Sequence, residues 1–271
     1  MSDGALQLGF WQMAASYIFI LVLLFIVRLR GIDREKEIIL STFRMSIQLV
    51  FVGYLLVYVF EHPNVWITLG IWALMLSFAI FNIFQRVKLP MSKSLKQVAA
   101  ISMVVGTVTS LIYFIVVVIG LFPWYDPRYF IPIAGMLIGN SMTGISLGIR
   151  SLVEAMDKQR GQVEGALMLG ACPAAAVKSI ANSAFDSAIL PTINSMMGMG
   201  IVFLPGMMTG QILSGESPVT AIQYQIAIML GIVGAVALTV IVFLHLGTRT
   251  FFNQRAQLLL PAKTSPGNSP R

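Results

Sequence analysis

The chain has 271 residues, of which 57% are apolar and only 11% are charged, and its formal net charge is +7. Soluble proteins carry about 25% charged residues, so this chain cannot cover itself with a water-facing surface and must have lipid as its main solvent. The single cysteine, Cys172, excludes a disulfide framework and a cysteine-rich metal site, and we expect it to be a small buried residue.

Long uncharged stretches predict the membrane helices. They cover residues 4–27, 45–60, 62–85, 97–125, 129–149, 187–215 and 217–248. A spanning helix needs about 20 residues, which every stretch but the second supplies. The second is long enough if Arg44 lies within its helix. The sequence therefore predicts an all-α integral membrane protein with about seven transmembrane helices, and the first of them is too long an apolar run for a signal peptide.

Lysine and arginine are concentrated in alternate loops. Seventeen of the 18 fall in residues 28–44, 86–96, 150–178 and the C-terminal tail, and the other loops hold only Arg128. The positive-inside rule then places the N-terminus outside and the C-terminus in the cytoplasm. Because topology explains the basic charge, nucleic acid is not expected as a partner.

The chain is predicted to form one transmembrane domain, residues 1–257, followed by a disordered cytoplasmic tail, residues 258–271, which is rich in Pro and Ser. The external loops are too short to hold a further domain.

Residues 150–185 form the one sizeable predicted cytoplasmic segment. We expect Gly161 to end the helix that leaves the fifth span. A short transverse helix over 162–170 follows, closed by Gly170, and Pro173 suits the first turn of the next helix. This elbow would offer a compact knob to a soluble partner, although an ordinary loop that binds nothing would look similar.

The elbow resembles the EAA loop of ABC-transporter permeases. Glu164, Gly165 and Ala166 stand where that pattern has Glu-Ala-Ala, and Gly170 follows at the matching distance. Two departures are that Gly165 replaces the first Ala and that Asn182-Ser183 stands in place of Leu-Pro. In ABC permeases the short helix of this loop is a coupling helix that docks in a groove of the ATPase subunit.

Two longer stretches carry a more specific resemblance. "MLIGNSMTGISLGIR" (136–150) and "GIVFLPGMMTGQILSGESPVTAIQYQI" (200–226), with "FRMSIQLVFVGYLL" (43–56), are similar to the FetB-type (YbbM-type) family of ABC permeases. That family is associated with iron export in bacteria and aluminium tolerance in plants. The resemblance implies the permease subunit of an ABC transporter in the cell membrane, exporting iron or another metal.

The motor of such a transporter is expected in another chain. No G-x-x-x-x-G-K-[ST] motif is present, so this chain should bind no cofactor and should not be an enzyme on its own. ATP and Mg²⁺ would be bound by a separate ATPase. Because an ABC motor forms its sites between two ATPases, we expect two copies of the permease with two of the ATPase.

The sixth stretch holds helix-breaking residues at membrane depth, where freed backbone groups are tolerated only in protein or a water-filled cavity. Such breaks mark binding sites or gates in transporters. The sequence Met-Thr-Gly-x-x-Leu occurs at 142–147 and at 208–213, and two such segments could simply pack closely. The candidates for the pathway or a gate are Arg44, Gln48, Asn140, Ser141, Met142, Thr143, Asn194, Pro205, Gly206, Met207, Met208, Thr209 and Gln211.

The substrate chemistry stays open at this point, and no metal ligands can be assigned. Methionine favours soft metals such as Cu(I) rather than iron, and most of the 16 methionines are expected to be packing residues. No cluster of Asp, Glu or His lies within the spans, so a bare divalent cation would be poorly neutralised. Arg44, one turn before Gln48, either snorkels to the interface or faces the interior and binds an anionic group of a chelate.

The same residues argue against other membrane functions. The last stretch has no Lys for a retinal Schiff base. A secondary transporter or metal-efflux channel without an ATPase should show a titratable group at the midplane, and none is evident. A membrane scaffold for an ATPase is the remaining alternative.

Overall fold

A computed structural model of the protein describes residues 9–87, 89, 91–253 and 255–259. Helices dominate this part of the chain, and its only β-type pairings are two isolated bridges. The α-helices are α1 (Phe10–Ser16), α2 (Ile18–Leu29), α3 (Glu35–Glu61), α4 (Val65–Arg86), α5 (Lys93–Tyr113), α6 (Pro127–Lys158), α7 (Arg160–Met168), α8 (Pro173–Ala176), α9 (Lys178–Gly198), α10 (Gly206–Leu213) and α11 (Pro218–Gly247). A π-helix (Phe114–Ile119) continues α5, and a 3-10 helix (Thr248–Phe251) continues α11. The predicted tail lies outside the described residues except for Leu258 and Leu259.

Six helical stretches of the described chain are long and apolar enough to cross a membrane. They are Phe10–Leu29, Glu35–Glu61, Val65–Arg86, Lys93–Ile119, Pro127–Lys158 and Pro218–Phe251. The all-α, multi-span prediction is therefore confirmed. Arg44 lies well inside α3, as the length of that span required.

The stretch 187–215 is not one helix. α9 accommodates Pro191 in its interior and ends at Gly198, and α10 starts at Gly206. Between them the chain makes a tight turn, in which Gly200 adopts a positive φ of 84° and its N–H donates to the carbonyl of Phe203 at 2.9 Å. The predicted break is thus present, but it begins several residues before Pro205.

α6 is the central helix of the bundle and packs on α9 and α11 through its glycines. A β-carbon on Gly144 would lie 2.7 Å from the Val236 side chain and 3.4 Å from the carbonyl oxygen of Ala188. One turn later, a β-carbon on Gly148 would lie 3.8 Å from the Val240 side chain and 3.9 Å from the carbonyl oxygen of Ala184. The order of these contacts shows that α6 runs parallel to α11 and antiparallel to α9.

α5 and α11 form a second close pair. A β-carbon on Gly106 would lie 2.1 Å from Oγ1 and 2.6 Å from Cα of Thr239. Further along, Gly231 of α11 leaves room for the ring of Phe114, which is 2% exposed. The two helices thus meet through backbone and small residues, as in other membrane helix pairs. They are antiparallel, because the contacts move toward the start of α11 as α5 proceeds.

The first three helices lie at the periphery. In the most apolar part of each span, 6% of the residues of Phe10–Leu29 are buried, and the same fraction of α3. The corresponding fraction for α6 is 50%. The hydroxyls of Tyr17 and Ser46 hydrogen-bond at 2.6 Å and tie α2 to α3. This hairpin is therefore held to the bundle by few contacts.

The helix directions bring the basic segments together. The turn from α2 to α3, the end of α4, the start of α5, the elbow 150–185 and the end of α11 all lie at one end of the bundle, which we term the basic end. Arg128, at the start of α6, lies at the opposite end.

Candidate functional site: an arginine-lined chamber

A polar chamber of about 750 Å³ opens at the basic end where α3, α4 and α6 meet. Polar and charged side chains make up most of its wall. The lining residues are Arg34, Glu37, Ser41, Arg44, Asn82, Gln85, Arg86, Val87, Leu89, Thr143, Ser146, Leu147 and Arg150. Three helices thus place guanidinium, amide and hydroxyl groups around one space of small-molecule size.

Arg44 points from α3 into the gap between α3 and α4. Its guanidinium carbon lies 5.1 Å from the centroid of the Phe78 ring, within the range of a cation–π contact. An arginine at the centre of a membrane helix costs about 2.5–3.5 kcal/mol on the insertion scale. A polar chamber and an aromatic face reduce that cost, so the structure favours the interior placement of Arg44 over snorkelling into lipid.

The chamber carries an excess of positive charge. Arg34 is paired with Glu37, and Arg150 with Glu154 at 2.9 Å. In the part of the chain that the structure describes, neither Arg44 nor Arg86 makes an ion pair. Two guanidinium groups therefore face the chamber without a carboxylate partner.

The neutral polar groups of the chamber hydrogen-bond to their own helices. Asn82 donates its amide N–H to the carbonyl of Phe78 at 2.8 Å, and the hydroxyls of Thr143 and Ser146 donate to carbonyls four residues earlier. Such bonds satisfy the donors within lipid. The amide oxygen of Asn82 and the hydroxyl lone pairs are left to face the chamber.

A polar stripe on α6 extends from the chamber toward the middle of the bundle. Asn140, Thr143 and Arg150 are exposed and spaced so that they share one helix face. Asn140 donates to the carbonyl of Met136 at 2.8 Å. Of the predicted pathway residues, Thr143 lines the chamber together with Arg44, whereas Asn140 and Gln48 are exposed but do not line it.

The neighbouring candidates on α6 belong to the packed core. Ser141 is fully buried, and its hydroxyl has no hydrogen-bond partner. Met142 is half-buried and packs against the hydrophobic core. These two residues therefore support the fold of α6 and do not face the chamber.

The candidates around the break lie toward the opposite end of the bundle. Met208 is buried, Met207 packs on the core, and Thr209 donates its hydroxyl to the carbonyl of Pro205 at 3.1 Å. Pro205 caps α10, whose first residue, Gly206, is exposed. The set predicted from sequence therefore divides between two ends of the molecule.

Two amides accompany this region. Asn194 of α9 is exposed, whereas the amide oxygen of Gln211 is buried without a hydrogen-bond partner. Gln225 of α11 is also buried; it donates to the sulfur of Met199 at 3.7 Å, and its amide oxygen is likewise unpartnered.

The two Met-Thr-Gly-x-x-Leu segments do not pack on each other through their glycines. Gly144 contacts Ala188 and Val236, whereas Gly210 has open space at its β-position. The alternative of close packing between these two glycines is therefore not seen: the first segment lies in the middle of α6, and the second lies in α10, toward the end of the bundle opposite the basic end.

The elbow has the predicted order of helices with one shifted boundary. α6 ends at Lys158 and Gln159 separates it from α7, so Gly161 lies inside α7 and does not end α6. Gly170, at φ 90°, closes α7: its N–H donates to Leu167 and the next N–H, of Ala171, to Ala166, both at 3.0 Å. This is a Schellman ending, which requires a left-handed residue and hence favours glycine.

The elbow presents an apolar tip to solvent. Val163 is 1% exposed and anchors α7 to the core, whereas Met168 and Leu169 are 87% and 90% exposed. Glu164 is partly exposed and is paired with Arg160 at 2.8 Å. Cys172, expected to be buried, is exposed beside the tip because the chain turns outward after Gly170.

Comparisons with known proteins decide the family. The family model described as "Uncharacterised protein family (UPF0014)" matches residues 10–252. The chain belongs to the UPF0014 family.

Relatives of the UPF0014 chain include named membrane proteins. It is 38% identical to the UPF0014 membrane protein slr1647 of Synechocystis sp., over 85% of this chain and 89% of the relative. It is 35% identical to the Protein ALUMINUM SENSITIVE 3 of Arabidopsis thaliana, over 92% and 90%. It is 32% identical to the Probable iron export permease protein FetB of Escherichia coli, over 92% and 94%.

These relatives confirm the predicted family resemblance and, with the six candidate spans, a multi-pass membrane protein. No solved structure matches the chain.

Sequence reasoning missed several residues of this UPF0014 site. Arg86 and Arg150 were counted only as topology signals, because each ends an uncharged stretch. Met168 and Leu169 look like ordinary helix residues until the course of the chain shows that they face solvent. The signal for the chamber was the presence of a basic residue near the same end of three predicted spans.

No clear metal centre emerges from the described residues. Within them, no three or more His, Cys, Asp or Glu side chains come together to hold a metal ion. The chamber instead has the chemistry to hold an anion.

Proposed function

We propose that this UPF0014 chain is the permease subunit of an ABC transporter that exports iron or another metal, driven by a separate ATPase. The relative named as a probable iron export permease protein supports both the class and the direction. The single structural observation that carries the proposal is the exposed apolar tip of the elbow, Met168 and Leu169, on a short anchored helix.

The proposed topology has seven spans, with the N-terminus outside and the C-terminus in the cytoplasm. α9, the turn and α10 together form the broken sixth span, because α9 runs antiparallel to α6 and is 21 residues long, which is about 31 Å of helix. The clustering of basic segments at one end supports the orientation.

The elbow is the proposed docking element for the ATPase. A fully exposed apolar pair at a water-facing end costs solubility unless a partner covers it. Because Val163 fixes α7 to the core, movement of a docked ATPase would pass directly to α6 and α9. Glu164, Gly165, Ala166 and Gly170 retain the coupling role that the EAA resemblance implies, with Gly170 fixing the direction of the tip.

The proposed assembly is a homodimer with two ATPase chains, in which ATP and Mg²⁺ are bound by the ATPases. The weakly attached hairpin of α2 and α3 and the exposed polar stripe of α6 support it. A second copy would cover the stripe and enclose a pathway between the two molecules.

The alternative functions differ in whether metal moves and whether an ATPase is needed. A secondary transporter or channel would move metal without an ATPase. A scaffold would bind the ATPase and move nothing.

The test is co-purification with an ABC ATPase encoded by a neighbouring gene, followed by metal transport in vesicles. We expect the double change Met168→Asp with Leu169→Asp to abolish ATPase capture, and Glu164→Lys to weaken it or uncouple hydrolysis from transport. The matched control is Ala174→Asp with Ala175→Asp, which adds the same two charges at other exposed elbow positions. Normal capture and transport by the tip and Glu164 variants would remove the mechanical support for an ABC permease.

A further inference from the structure

We propose that the arginine chamber binds an oxyanion ligand of small-molecule size, one that presents carboxylate or phosphate groups. Its use as a substrate site rests on the proposed transport function, whereas the binding itself does not.

Charge is the first argument. The chamber wall has four arginines and one glutamate, and Arg44 and Arg86 have no carboxylate partner within the described chain. Even with Glu154 counted beside Arg150, positive charge remains in excess. A bare metal cation would be repelled from this space, and an anion would be attracted into it.

The kind of group is the second argument. A guanidinium presents its N–H donors as a planar fork that matches carboxylate and phosphate oxygens. The fork of Arg44 is held by the face of Phe78, so less side-chain freedom is lost on binding. The hydroxyls of Ser41, Thr143 and Ser146 supply further hydrogen-bonding groups around it.

The positive-inside rule accounts for the exposed arginines near the helix ends, Arg34, Arg86 and Arg150, but not for Arg44. That rule concerns basic residues in loops, and it is satisfied by arginines that point into water or lipid headgroups. Here Arg44 lies inside a helix and shares a cavity with guanidinium groups from α4 and α6. Because Arg34 and Arg150 already have carboxylate partners, the positive charge left for an anion to balance is that of Arg44 and Arg86.

The volume of the chamber limits the size of the ligand that it can hold. A cavity of about 750 Å³ is much larger than one phosphate ion and falls within the range of small-molecule sites. If metal passes through the chamber, it does so as an anionic complex, in which the ligands carry more negative charge than the metal carries positive charge. This explains how a chain with no evident cluster of acidic or imidazole ligands could handle a hard metal ion.

Binding is measured by calorimetry on the permease in phosphatidylcholine nanodiscs, with citrate, Fe(III)–citrate and inorganic pyrophosphate as probes and Fe(II) as the cation. We expect the anions to bind and Fe(II) alone not to compete. Arg44→Gln and Arg86→Gln should each weaken anion binding roughly tenfold, the loss typical of a charge-assisted hydrogen bond. Arg44→Lys should retain part of the affinity, since the charge survives without the fork.

The matched control is Arg28→Gln, which removes an exposed arginine of the basic end that does not line the chamber. Melting curves of each variant check folding, and Arg44→Lys keeps the test informative if a glutamine variant unfolds.

A second arm identifies the source of the oxyanion. Phosphatidylglycerol nanodiscs would block citrate if a lipid headgroup occupies the chamber, and native mass spectrometry would show that lipid lost from the Arg44→Gln, Arg86→Gln double variant. Binding of soluble anions that survives in phosphatidylglycerol assigns a soluble ligand. Equal anion binding by wild type and double variant, or no binding of any oxyanion, overturns the proposal.

The result is separable from the proposed transport function. A wild-type protein that exports iron in vesicles, with arginine variants that export it equally well, overturns the chamber as a substrate site and leaves the transporter intact. Anion binding without metal transport would support the chamber as an anion site and contradict the proposed transport function.

Discussion

Gly106 shows how much of this fold depends on single backbone contacts. Its α-carbon faces Thr239 so closely that a β-carbon would overlap the backbone of α11. The antiparallel contact of α5 with α11 is therefore set by the absence of a side chain at one position.

Gly106→Ala is expected to destabilise the protein by about 1–3 kcal/mol, the range for an overpacked core, because the helices must separate. The measurement is the melting temperature of the purified protein in detergent. The control is Gly70→Ala on α4, where nothing lies within 4 Å of the β-position and the helix should gain stability. Equal melting temperatures for the two variants would contradict the close contact.

Gly170 acts through backbone conformation instead of space. Nothing would meet a β-carbon there, but φ is 90°, and a left-handed residue other than glycine costs about 1–2 kcal/mol. Gly170→Ala and, more strongly, Gly170→Trp should therefore redirect the tip formed by Met168 and Leu169.

The expected result for both variants is reduced capture of the ATPase in a pull-down, with insertion and dimerisation retained. Gly161→Ala is the control, since Gly161 is helical with open space at its β-position. Full ATPase capture by Gly170→Trp would show that the direction of the tip does not matter.

Among the helices, the pair α9 and α10 contains the break that we expect to matter most for the proposed transport function. In the proposed topology the turn between them lies at membrane depth, and Gly206 is the first residue of the second helix. We expect Gly206→Leu to leave membrane insertion intact and to reduce transport severalfold: the β-position has open space, so the side chain fits, but it removes the backbone freedom of a glycine at the break. Vesicle uptake assays beside a membrane-fraction immunoblot measure the two effects, and unchanged transport would reduce the break to a packing feature.

Helix existence was predictable from sequence because hydropathy and charge are local properties. The candidate spans, the position of Arg44 within α3, the elbow and the residue that closes α7 all follow from these properties. The residue at which the break starts was not predictable, since it depends on Gly200 and on the turn closed by Phe203. Pro191, a stronger local signal, is accommodated within α9 because a membrane helix tolerates a proline where neighbours satisfy the freed groups.

The whole molecule has an orientation that cysteine labelling can test. Single cysteines near Glu61, Asp126 and Glu216 should react with a membrane-impermeant reagent applied to intact cells. Cysteines at Lys93 and Lys158 should react only after the membrane is opened. Labelling at Lys158 in intact cells would contradict the proposed topology.

The background for this experiment needs Cys172→Ser. Cys172 is exposed in the elbow, and its own reactivity in the unmodified chain serves as an additional marker for the basic end.

The chamber could not be predicted as a site because its residues come from three helices far apart in sequence. Arg44 and Thr143 were named separately, and nothing in the sequence placed them beside Arg86. The part of the site on α6 was easier to predict, since the spacing of Asn140, Thr143 and Arg150 places them on one helix face. Only the packing of α3 and α4 against that face turns a stripe into a cavity.

The positive charge of the chamber selects for an anionic cargo, and the charge of the cargo sets the electrical work of the proposed export. Cells keep the cytoplasm negative, and moving one elementary charge through 100 mV involves about 2.3 kcal/mol. A bare divalent cation would leave against that field, whereas an anionic complex would be driven outward by it. For a cargo recognised by Arg44 and Arg86, the membrane potential would therefore assist the ATPase, and dissipating it should slow export instead of speeding it.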